Sequence, residues 1–169
     1  MLQLDGQHLS AVESTRARPF PVGSALRRRP DPEPQVLEIE KARGTETILL
    51  VEDDDAVRAV ARRALDRFGY RVLPAARGDE ALHIARQNDN HIDLLLTDIM
   101  MPGMNGVEVA AEVARIRPGI QVFFMSGYAD QDLVRQGLLE PGTHFLQKPF
   151  TPQDLAEQIR RILDRQPKG

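Results

Sequence analysis

From Thr45 onward, short apolar runs alternate with stretches of helical spacing, and this alternation constrains the fold more than any other feature of the chain. Thr47-Ile48-Leu49-Leu50-Val51 is too short and too continuously apolar for anything but a strand buried on both faces. Val57, Val60, Ala61, Ala64, Leu65 and Phe68 then draw one stripe on a helix, which Gly69 ends. The change of period repeats. A strand over 70–73 precedes a helix over 78–87 carrying Ala81, Leu82 and Ala85, and a strand over 92–97, centred on Leu94-Leu95-Leu96, precedes a helix over 107–116 closed by Pro118-Gly119. A fourth strand over 120–125 leads to a weaker helix over 130–138, and a fifth over 143–147 leads to the last helix. There Thr151 offers an N-cap oxygen, Pro152 takes the first helical position, Asp154 completes a capping-box-like turn, and Leu155, Ile159, Ile162 and Leu163 line one face.

Five such units in about 120 residues, roughly 24 each, have the size of minimal strand, turn, helix and turn repeats. Right-handed crossovers then predict an α/β protein with a flavodoxin-like, doubly wound, five-stranded parallel sheet in the order 2-1-3-4-5 and helices on both faces. A closed eightfold barrel needs about twice the residues.

Residues 1–44 read differently. They hold five of the twelve prolines, the run Arg27-Arg28-Arg29, and scattered apolar residues without period, so they are expected to form a Pro-rich, disordered tail or linker. The domain is expected over 45–165, with a short C-terminal tail over 166–169. Apolar residues at 41% and charged residues at 28% suit a packed globular domain. A net charge of −3 provides no basic field to hold nucleic acid, and none is expected as a partner. The absence of cysteine excludes a disulfide framework and a thiolate metal site, and fits a cytoplasmic location. No apolar run approaches the ~18 residues that span a bilayer, so no direct membrane contact is expected.

In a sheet of this kind the functional crevice lies beyond the carboxyl ends of the strands, at the switch in strand order. Glu52-Asp53-Asp54-Asp55 follows the first strand, Asp98 the third, Ser126-Gly127 the fourth and Lys148-Pro149 the fifth. Each has an ordinary explanation alone, as a helix cap, a turn or a solvated charge. Their joint arrival at one edge does not. Two carboxylates about 4 Å apart repel by roughly 4 kcal/mol at an effective dielectric of 20, so Glu52, Asp53 and Asp98 together call for a cation or a proton. An all-oxygen donor set selects Mg²⁺. A cation beside a carboxylate, a lysine and a hydroxyl is arranged for a phosphoryl group, with an Asp oxygen as its acceptor.

The segments ILLVEDD, LLLTDIMMPGMNG, FMSGYA and FLQKPF resemble the signature segments of response-regulator receiver domains of two-component signalling, most like the C-terminal receivers of hybrid sensor histidine kinases. The resemblance implies Asp98 as phosphoacceptor. It implies Asp53, Asp98 and the Met100 carbonyl as Mg²⁺ ligands, with Glu52 acting mainly through water. Ser126 and Lys148 would contact the phosphoryl oxygens, and Phe145 would be the aromatic that moves with position 126 and alters the surface of the fourth helix, fifth strand and fifth helix. Pro102 and Gly106 would shape the loop after the acceptor, and Pro149 would follow a cis peptide. Glu52, Ser126 and Phe145 stand where the family more often has Asp, Thr and Tyr. The implied donors are a sensor histidine kinase, a histidine phosphotransfer protein, or both, serving a stand-alone adaptor or a detached hybrid receiver that is a monomer or weak dimer.

Other readings are less well served. A haloacid-dehalogenase-type hydrolase needs a second carboxylate two residues past the nucleophile, where Met100 stands. A flavin carrier needs a phosphate-cradling loop after the first strand, where the acidic run would repel it. The remaining alternative is a receiver-fold interaction module that is never phosphorylated.

Overall fold

The computed structural model describes residues 41–165, apart from 88–90, 129, 136, 138, 141, 142 and 144; residues 1–40 and 166–169, and with them all but 41–44 of the expected N-terminal tail and the whole expected C-terminal tail, lie outside the described residues. The chain runs β1 (Thr47–Val51), α1 (Asp55–Arg67), β2 (Arg71–Ala75), α2 (Gly78–Arg86), β3 (Leu94–Asp98), α3 (Gly106–Ile116), β4 (Gln121–Ser126), α4 (Asp130–Arg135), β5 (Phe145–Gln147) and α5 (Pro152–Leu163). All strand pairs are parallel, and the sheet order is β2-β1-β3-β4-β5. This is the doubly wound order expected from the sequence.

The central strands show why the apolar runs are continuous. Successive side chains on a strand point to opposite faces, and both faces are covered. Ile48, Leu50, Leu94 and Leu96 pack with Ala61, Ala64, Leu65 and Phe68 of α1 and with Leu155, Ala156 and Ile159 of α5. Leu49, Val51 and Leu95 point the other way, into Ala81, Leu82 and Ala85 of α2 and Val109, Ala110 and Val113 of α3. A smaller cluster of Ile99 and Leu139, with Val107, Phe124 and Phe145 against it, lies beside these.

Local signals set the helix ends. Asp54 caps α1 by accepting from the Ala56 and Val57 amides, and Asn105 and Thr151 form capping boxes with Glu108 and Asp154. Gly69, at φ +93°, turns the chain after α1, and a side chain there would meet the Gly44 carbonyl.

Several boundaries differ from the sequence reading. Strand β2 runs through Pro74 instead of stopping before it, because β2 is bonded only to β1 and an edge strand tolerates a missing N–H. Helix α4 is six residues long, with few apolar positions to carry it further. Val60 is 54% exposed, because it sits at the margin of the α1 stripe whose centre is Ala61, Ala64 and Phe68.

Packing also reaches upstream of the change in composition at Gly44. Ala42 is buried, the Tyr70 hydroxyl donates to its carbonyl oxygen at 3.0 Å, and the Gly44 amide donates to the Phe68 carbonyl at 3.1 Å. Burial raises the Tyr70 phenol to about 12. Because that value lies above the ordinary 10, the stability it contributes is whole below about pH 10 and is lost as pH rises toward about 12. Absorbance at 295 nm is expected to show one delayed phenolic step in this range. Tyr70→Phe should remove that step and lower the unfolding free energy at neutral pH by about 1 kcal/mol, read by urea titration.

Candidate functional site

The parallel register sets the chemistry side by side. Val51 pairs with Thr97, so Glu52 at the end of β1 sits beside Asp98 at the end of β3. Asp98 pairs with Met125, and Ser126 pairs with Gln147, so Ser126 and Lys148 complete the row. The Lys148 amide donates to the Ser126 carbonyl at 2.8 Å, and the Lys148–Pro149 peptide is cis. Four strand ends thus meet at one edge, as the sequence reading required.

The Lys148 ammonium lies at 2.5 Å from Glu52 Oε2 and 2.8 Å from Asp98 Oδ2. Glu52 and Asp98 are buried, and Asp53 is exposed, yet the three acids offer one oxygen each within 4.8 Å of one another. Burial pushes the Glu52 carboxyl above its ordinary value, against the bond from Lys148. For Lys148, burial favours the neutral amine, but hydrogen bonds to Asp98 and Glu52 outweigh it and raise the ammonium's pKa. One ammonium faces three carboxylates, so the pocket keeps an excess of negative charge.

The donor set fits Mg²⁺. Glu52, Asp53 and Asp98 each offer a carboxylate oxygen, the choice of a hard cation. The remaining bonds orient the pocket's walls. Asp98 Oδ1 accepts from the Met100 amide at 3.3 Å, Glu52 Oε1 from the Asp54 amide at 3.3 Å, and Ser126 Oγ from the Tyr128 amide at 3.0 Å. Met100 and Tyr128 are exposed beside the pocket, whereas Ser126 is fully buried. Phe145 stands apart from the row, half-buried against Ile99 and Leu139.

Two further residues hold the backbone of Asp98. The buried Thr97 hydroxyl donates to the Asp98 carbonyl at 3.0 Å. A polar residue in a doubly buried leucine run needs a partner, and that was the available signal. Gly106 packs so closely that a Cβ there would fall 2.0 Å from the same carbonyl oxygen. Arg58, which no motif singled out, donates to the Glu52 carbonyl at 2.6 Å.

The chain belongs to the response regulator receiver domain family, whose model matches residues 48–160, and it is thus a receiver domain of two-component signalling. It is 36% identical to the sensor kinase CckA of Brucella abortus (strain 2308) over 158 residues, which cover 92% of this chain and 16% of that kinase. It is 35% identical to the response regulator receiver protein CpdR of the same organism over 116 residues, covering 69% of this chain and 95% of that protein. The crystal structure of the receiver domain from the hybrid histidine kinase CckA is similar, with a TM-score of 0.58 and 43% identity over 69% of this chain and 98% of that one.

Removing the shared ammonium by Lys148→Met leaves Glu52 and Asp98 buried without a counter-charge. In EDTA at neutral pH, urea unfolding should show a loss of about 3 kcal/mol. Because the Glu52 carboxyl already sits above its ordinary value, stability of this variant should recover as the pH falls and the carboxyl takes up a proton. Gly106→Ala should cost about 2 kcal/mol through overpacking against the Asp98 carbonyl, measured in the same way.

Proposed function

We propose that this receiver accepts a phosphoryl group from a phosphohistidine onto Asp98 in a Mg²⁺-dependent reaction. The observation that carries the reading is the convergence of Asp98, Glu52 and Lys148, with Lys148 Nζ at 2.8 Å and 2.5 Å from the two carboxylates. An Asp98 oxygen attacks phosphorus in line as the bond to the imidazole nitrogen breaks. The imidazole then takes a proton from solvent, and an acyl phosphate remains on Asp98. Lys148 is placed to follow the charge from the carboxylate to the phosphoryl oxygens, and the Ser126 hydroxyl to donate to one of them. Asp53, Asp98 and the Met100 carbonyl would hold Mg²⁺, with Glu52 acting through water. Bound there, the cation supplies neutralisation of charge on the transferring group. The chain catalyses only its own phosphorylation and dephosphorylation in this reading. Met100 carries no group to position a hydrolytic water, which supports slow to moderate loss of the phosphate.

Ser126 and Phe145 are the elements that would switch the surface of α4, β5 and α5. Phe145 packs with Phe124 and Ile99, so a shift at the end of β4 has a packed route to it. Without a hydroxyl, that coupling works through packing alone. The phosphate donor is a sensor histidine kinase or a histidine phosphotransfer protein, and its seat is the apolar cleft of Ala56, Val57, Val60, Pro149 and Phe150, which borders Lys148. The chain works as a monomer or weak dimer, either as an adaptor or as a hybrid-kinase receiver, with the Pro-rich stretch before Lys41 as its linker. No described helix is long and apolar enough to cross a membrane, and a cytoplasmic site of action accords with a phosphohistidine donor.

Incubation with acetyl phosphate and Mg²⁺ should add the mass of one phosphoryl group, and EDTA or Asp98→Asn should abolish it. A chain that gains no mass under these conditions acts as an interaction module instead. Val60→Asp should slow phosphotransfer from a phosphorylated histidine donor by about tenfold while leaving acetyl phosphate labelling within about twofold, in line with loss of a contact at the docking surface only.

A further inference from the structure

Glu52 and Asp53 are consecutive in the chain, and on an extended strand their side chains would face opposite sides of the sheet. Both nevertheless bring an oxygen within 4.8 Å of the other and of Asp98. The chain must therefore bend as it leaves β1. Arg58, one turn into α1, lies behind that bend. Its Nη1 donates to the Glu52 carbonyl at 2.6 Å and reaches the Asp53 carbonyl at 3.4 Å, and its Nη2 meets the Asp55 carboxylate. In an extended strand successive carbonyls point to opposite sides, so two of them facing one nitrogen are the backbone mark of the same bend. The Arg58 side chain is only 19% exposed, which places it in the packed structure and not in bulk solvent.

Charge alone gives Arg58 no favourable part beside a cation site, because a guanidinium repels the incoming ion. Its fork geometry does. A rigid planar group with several fixed donors can hold two peptide carbonyls and a carboxylate at once, which a lysine's single ammonium on a flexible stem cannot do equally well. We propose that Arg58 is a positioning residue for the cation site, holding the bend at Glu52 and Asp53 so that both acids face Asp98 before the metal arrives. This inference rests on the reading of Glu52, Asp53 and Asp98 as the Mg²⁺ site.

The test is calorimetric titration of the full, unphosphorylated chain with Mg²⁺ alone, with hydrogen exchange of the 53–55 amides followed in the metal-free state. Arg58→Lys keeps the charge and loses the fork, and should bind Mg²⁺ about tenfold more weakly, as expected for loss of a group that orients metal ligands. Arg58→Met should weaken binding at least as much although it removes a repelling charge, and in both variants the 53–55 amides should exchange faster. Mg²⁺ affinity of Arg58→Lys within about twofold of the unaltered chain overturns the proposal, and so does tighter binding by Arg58→Met, since repulsion would then be the larger effect. If Arg58→Met does not fold, Arg58→Lys decides alone. Absence of Mg²⁺ binding by the unaltered chain removes the underlying site reading as well, and so separates the two failures.

Discussion

A single ammonium group, Lys148 Nζ, lies between two buried carboxylates that are 96 and 50 residues away in the chain. This arrangement sets the terms for the rest of the structure. Two buried negative charges at the end of a hydrophobic sheet are costly unless they are paired, and one lysine pairs both incompletely. The incomplete pairing leaves a local excess of negative charge, and such an excess favours a cation beside the three acids.

The sheet supports this pocket by being rigid and by being parallel. Leu94, Leu95 and Leu96 are fully buried between helix layers, so a slip of β3 would carry Asp93 or Asp98 into the apolar layers. Asp98 therefore inherits its position from the core behind it. Thr97 and Gly106 refine that position through the Asp98 carbonyl, one by a hydrogen bond and the other by close contact. Helix α1 serves several ends at once. Its inner stripe closes the core, its N-cap Asp54 orders the acidic loop, Arg58 clasps that loop's backbone, and Val60 remains exposed beside the pocket's rim.

Much of this was legible in the sequence because the signals were local. Continuous apolar runs announced buried parallel strands, and capping residues at Thr151 and Asp154 marked the start of α5. The acids, the serine and the lysine could be assigned to one edge because strand ends in a doubly wound sheet all open on the same side. Other features had no local signature. The strand expected over 70–73 ends short of Pro74 because nothing in the neighbouring residues says that β2 is an edge, and Val60 is placed in the helical stripe because periodicity shows a stripe but not its width. Ala42 lies beyond the change in composition, and its burial against Tyr70 depends on where the chain enters the domain.

The sequence by itself determined the order and type of the elements, the edge on which the chemistry gathers, and the residue types available there. Hydrophobic period and capping act over a few residues, so a linear reading captures them. Only the tertiary structure decided that Lys148 is shared by Glu52 and Asp98, that Thr97 and Gly106 meet at one carbonyl oxygen, and that Arg58 turns back on the loop before it. Those contacts depend on register, side-chain direction and ångström-scale distance, which are consequences of packing the whole chain at once.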